Sequence, residues 1–159
     1  MAPLHETLAR LFGELVNGPP PDAAYMLNSG DVGLLRSLDT LTSGAASCVP
    51  ASGGASIAAH VDHVCYGLEL MNSWSAGNPD PWSDADWTAS WRRAAVSDAE
   101  WTDLRARLRE ATHRWHAALA SPRQMSAIEL NAVVGSIAHL AYHLGAIRQI
   151  DRSIRGPHA

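Results

Sequence analysis

The chain has 159 residues and a formal charge of −4 with histidine neutral. That is about one domain of sequence, spanning 1–159, and long enough for a core that needs neither disulfide nor metal. All twelve basic residues are arginine and none forms a basic stripe, which argues against a nucleic-acid partner. Cys48 and Cys65 make no disulfide framework. MAPLHETLAR has an acidic residue and a histidine where a signal peptide has a basic region and an apolar run, and no apolar stretch approaches about 20 residues. A cytoplasmic protein without a membrane span is the expectation.

Residues 4–16 predict an amphipathic helix with Leu4, Leu8, Leu11, Phe12 and Leu15 on its apolar face, ended by Asn17-Gly18 and three prolines. A loop over 22–30 follows, with Tyr25, Met26 and Leu27 expected against the core. Asp31 reads as the N-cap of a helix running to about Ser43, with Leu34, Leu35, Leu38 and Leu41 inward. Residues 43–56 read as a small-residue loop. Ser56 then caps a helix over 56–76, in which Ile57, Val61, Val64, Leu68 and Met71 share a face. His60 and His63 lie one turn apart on it, and one of them can face the interior beside Val64 and Gly67. Asp62 and Glu69 read as solvent-facing.

Residues 77–96 change composition, and predict a loop followed by a short helix from Asp84 to about Arg93. Trp82, Trp87 and Trp91 cluster there. Packing of a crossover segment onto the bundle is the preferred reading, with an aromatic pocket wall or dimer face as the alternative. Ser97 with Glu100 makes a capping box for a helix over 98–120, which carries His113 and His116 as lesser metal candidates. Ser126 with Glu129 makes another for a helix over 126–151. Its face is Ile128, Ala132, Val133, Ile137, Leu140, Leu144, Ile147 and Ile150. Arg148 reads as neutralising its C-terminus. The last residues, SIRGPHA, are expected to fray. No segment alternates with period two, so the chain is read as all-α, a four-helix bundle with additional short helices.

His139 and His143 sit four apart on the last long helix, so their rings project from one face, the spacing by which a helix offers two imidazoles to one metal. A third ligand is needed, and His60 on a facing helix is the candidate. Three neutral imidazoles suit zinc, nickel, cobalt or ferrous iron. Three protein ligands leave the fourth position open, as in catalytic rather than structural sites. Cys65 follows His60 by five residues and points about 140° away, so it is no natural co-ligand. Both cysteines read as small buried hydrophobes.

IAAHVDH at 57–63 and HLAYHLGAIRQI at 139–150 resemble the DinB-like (DinB/YfiT) superfamily. That family carries a histidine early in one bundle helix and an HxxxHxG element in a later one. His60 matches the first, and His139, His143 and Gly145 match the second. Two departures stand out: Ala146 occupies a position where the family often has glutamine, and His63 competes with His60 as first ligand. The resemblance implies a four-helix bundle, frequently a homodimer, with a divalent metal at one end, zinc or nickel foremost. It also implies an enzyme acting on a small-molecule substrate. Some relatives are transferases or isomerases that use low-molecular-weight thiols. The expected function is therefore a metal-dependent S-transferase or hydrolase with His60, His139 and His143 as ligands, and Ser136 or Tyr142 supporting them. The alternative is a non-catalytic metal- or ligand-binding bundle. No general acid or base is visible in the sequence.

Overall fold

The computed structural model describes residues 3–154. Six α-helices run in order: α1 Leu4–Asn17, α2 Gly33–Asp39, α3 Ser43–Ala46, α4 Ile57–Ser75, α5 Asp98–Ala120 and α6 Ala127–Ile150. No strand occurs among the described residues. α1 packs on α5 and α6, and α4 packs on the same two, which closes a ring of four long helices. Its interior holds Phe12, Leu15, Leu34, Ile57, Leu104, Trp115, Leu140 and Ile147, each essentially excluded from water. Burial on this scale is the main favourable term in folding such a bundle.

Local chemistry sets the helix boundaries. Ser56, Ser97 and Ser126 each accept a hydrogen bond from the amide three residues on. At Ser97 and Ser126 the glutamate at that position bonds back to the cap amide, completing both capping boxes. α1 stops at Gly18, whose φ of 90° is open to glycine. A Cβ there would lie 2.1 Å from the Asp31 carbonyl oxygen, so the backbones cross too closely for any other residue.

Several expectations are corrected. The helix predicted from Asp31 to Ser43 ends at Asp39, and Thr42 caps a separate turn, α3, inside the predicted loop. Asp31 lies one residue before the cap and accepts from the Gly33 amide. Tyr25 and Met26 are exposed. Their amides, with that of Leu27, wrap the buried Glu14 carboxylate, which turns the first two side chains outward. The short helix predicted over 84–93 is reduced to a 3-10 turn at Ala89–Trp91, because the Asp86 carboxylate holds the amides of Thr88 and Ala89. Arg148 lies in the last turn of α6, as expected, and has a further role. It makes a bidentate pair with Asp31, the latter's side chain 2% exposed. Asp62 is not free in solvent but pairs with Arg93 and Arg107. Cys48 is exposed, whereas Cys65 is buried, and burial pushes its thiol up to about 12.

α6 differs from the expectation in two ways. Ile128 is 82% exposed, and the buried stripe begins a turn later at Val133. The helix is also long and apolar enough to cross a membrane by length and composition, with about a third of its most apolar window buried. Of the tail expected to fray, residues 153 and 154 belong to a 3-10 turn at Arg152–Ile154, and 155–159 lie outside the described residues.

Candidate metal centre

Four histidines meet where α4 faces α6: His60 and His63 from α4, His139 and His143 from α6. The i, i+4 spacing aims His139 and His143 at the same point, with their Nε2 atoms 3.0 Å apart. The Nε2 of His63 lies 3.1 Å from that of His139. Ring nitrogens of His63, His139 and His143 all fall within 4.8 Å of one another. Bonds of 2.0–2.1 Å to a tetrahedral ion would put ligand nitrogens ~3.3 Å apart, close to the two short distances here.

His60 stands one residue further out. Its Nδ1 lies 2.8 Å from Nδ1 of His143, on the side of that ring facing away from the Nε2 cluster. A neutral His60 that accepts there fixes the proton of His143 on Nδ1 and leaves the His143 Nε2 lone pair for a ligand. His63 is fixed in the same way. The Ser90 hydroxyl donates to the Trp87 carbonyl, which can only accept, so it receives the His63 Nδ1–H at 2.7 Å. Trp91 stacks on the His63 ring with centroids 4.2 Å apart and meets His60 edge-on. The crossover segment is held over the site by the Asp86 amide, which donates to the Tyr66 hydroxyl oxygen.

This tautomer assignment leaves the cluster short of protons. With His63 and His143 each protonated on Nδ1, the single Nε2 proton that His139 can carry must serve two contacts at 3.0–3.1 Å. A cation among the three Nε2 atoms would satisfy all three lone pairs at once, so the donor set fits a borderline divalent metal. The electrostatics agree. Burial, then the neighbouring imidazoles, holds His143 down to about 3 and His63 down to about 4. Burial lowers His60 and His139 as well. The cluster is therefore neutral at pH 7, the form that ligates.

Of the other sequence candidates, Ser136 and Tyr142 border the cluster without a hydrogen bond to its imidazoles among the described contacts, and His113 and His116 lie elsewhere. Ser136 is occupied by Trp115, whose indole N–H donates to it, and it donates to the Val133 carbonyl. Tyr142 is 68% exposed with its ring edge-on to His143. His113 is exposed, and His116 stacks on Phe12 in another part of the bundle. Ser90 was not legible from the sequence. A serine in an irregular segment 27 residues from its partner carries no spacing signal. The tryptophan cluster was visible, and two of the readings offered for it are seen: the segment packs on α4, and Trp87 walls a cavity beside His63 and His139.

No match was found among curated proteins or among solved structures. A family model for the DinB superfamily matches residues 33–147, which contain all four clustered histidines, and the chain belongs to the DinB superfamily.

Proposed function

We propose that the protein is a divalent-metal-dependent enzyme in which His63, His139 and His143 hold the ion and His60 orients His143. The observation that carries this reading is the convergence of three imidazole Nε2 atoms, with those of His63 and His143 lying 3.1 and 3.0 Å from that of His139. His60 was the expected direct ligand. The proposal gives that place to His63, because the nearest ring nitrogen to His60 is the Nδ1 of His143. Hydrogen bonds of this kind behind a ligand set its tautomer and basicity.

The bound ion would lower the pKa of a coordinated thiol or water and so supply a nucleophile near neutral pH. Each residue's role follows from its contacts. Ser90 and His60 hold the Nδ1 protons of two ligands, which keeps both Nε2 atoms directed inward. Trp91 screens His60 and His63 from water. Three protein ligands leave a position for thiol, water or substrate, which favours an S-transferase or hydrolase over a closed binding site. A filled four-histidine site would need His60 to leave His143.

The test is a comparison of zinc- and nickel-loaded untagged protein with His139→Ala/His143→Ala. Thiols are supplied with electrophilic substrates, and ester or amide substrates are supplied alone. Turnover that needs both metal and the two histidines supports the enzyme. Stoichiometric metal with no turnover of either class leaves the non-catalytic binding bundle. The homodimer implied by the resemblance would form on the outward face of α6, where Ile128, Val134 and Tyr142 are exposed. A monomer mass by light scattering at micromolar concentration removes it.

A further inference from the structure

Beside the histidine cluster lies a cavity of about 250 Å³ whose wall includes His63 and His139. Val64, Leu68, Met71 and Leu140 line it from the core, and two indoles, Trp82 and Trp87, close it from the crossover segment. Among the described residues no carboxylate or guanidinium lines it, and the polar side-chain atoms in its wall belong to the two histidines, Ser136 and the indole N–H groups. The space is kept by glycines. A Cβ on Gly67 would sit 3.6 Å from the His139 ring and 3.7 Å from Trp87, and a Cβ on Gly135 would meet nothing within 4 Å. A mid-helix glycine costs about 1 kcal/mol relative to alanine, so leaving both positions bare works against stability and in favour of volume. For scale, an apolar cavity of about 150 Å³ takes up benzene.

We propose that this cavity receives the uncharged aryl or branched-alkyl part of the substrate, with one polar atom of that substrate directed at the Nε2 atoms of His63 and His139. The proposal rests on the metal-site reading for the polar end and on the cavity wall alone for the apolar end. A charged group placed here would lose its hydration with no opposite charge to meet it, so polycarboxylate thiols are disfavoured as occupants. The apolar walls and flanking indoles suit a ring, with offset or edge-on contacts.

The experiment titrates two thiols, benzyl mercaptan and mercaptosuccinate, into metal-free and zinc-loaded protein, read by tryptophan fluorescence and calorimetry. Benzyl mercaptan is expected to bind the zinc-loaded protein at least tenfold tighter than mercaptosuccinate, and to bind the metal-free protein measurably. Gly135→Leu, which improves helix propensity and adds a side chain at the cavity wall, should weaken benzyl mercaptan at least tenfold in both forms and leave zinc content unchanged. Equal affinity for the two thiols, or a Gly135→Leu variant that binds benzyl mercaptan as the parent does, overturns the proposal. If zinc fails to bind while metal-free protein takes benzyl mercaptan and Gly135→Leu does not, the cavity assignment stands and the metal reading falls.

Discussion

Two polar interiors sit within this bundle, and they are built on opposite terms. Around the start of α2, the Glu14 carboxylate takes the amides of Tyr25, Met26 and Leu27, and Asp31 takes the Gly33 amide and both terminal nitrogens of Arg148. Each charge there has its counter-charge or a set of donors, and only the Arg148 Nε lacks a partner. Between α4 and α6, four neutral imidazoles bond to one another and to Ser90 and pack against aromatic rings, with no counter-charge among their hydrogen-bond partners in the described residues. The first interior matches its charges and holds the fold. The second brings neutral, metal-ligating nitrogens within 3.0–3.1 Å of one another, where a cation could be held.

Breaking the charge-matched interior should cost most. Asp31→Ala strands a largely buried guanidinium and is expected to lower unfolding free energy by about 3 kcal/mol, read by urea denaturation. Glu14→Gln turns an amide group toward backbone N–H donors and should cost about 1–3 kcal/mol by the same measurement. Zinc content per folded molecule should be unchanged in both. Loss of metal in either would mean that the two regions are coupled.

The histidine cluster should respond to pH rather than to truncation. In the unfolded chain histidine titrates near about 6.5. His63 and His143 are held to about 4 and about 3 in the fold, by burial first and then by neighbouring imidazoles. Below the unfolded value the unfolded chain binds more protons than the folded one. Metal-free protein should therefore keep this contribution above pH 6.5 and lose it as pH falls toward those folded values. Urea midpoints at pH 7.5 and pH 5 check this against His63→Asn/His143→Asn, whose pH dependence should be shallower. An equal slope in the two proteins contradicts it.

The smallest effect has the opposite sign. Gly67→Ala should stabilise the metal-free fold by about 0.5–1 kcal/mol, because its Cβ meets only ordinary contacts, while narrowing the cavity. Calorimetric melting reads it. A loss of stability would mean that Gly67 serves packing and not space.

These differences follow what a sequence can carry. The capping boxes at Ser97 and Ser126, the long helices and the His139–His143 pair depend on spacings of three and four within one helix, and all were legible. The rotation of α4 was not. Whether His60 or His63 turns its Nε2 to α6 is decided by contacts from Ser90 and Trp91, far along the chain in a segment without regular structure. Glu14 and the Arg148–Asp31 pair escaped for the same reason: their partners lie 11 or more residues away with no periodic relation. The resemblance through IAAHVDH reached the helix and both of its histidines, and left the choice between His60 and His63 open.

The central claim is tested most directly by metal content. Untagged parent protein, His63→Ala, His139→Ala, His143→Ala and His60→Ala would be incubated with zinc, dialysed and measured by plasma mass spectrometry. The account predicts near-stoichiometric zinc in the parent and its loss in the first three variants. His60→Ala should retain it with affinity weakened about 10–100-fold, the usual effect of removing a group behind a ligand. Zinc kept by His63→Ala and lost by His60→Ala would contradict the ligand assignment, and no zinc in the parent would contradict the metal centre altogether.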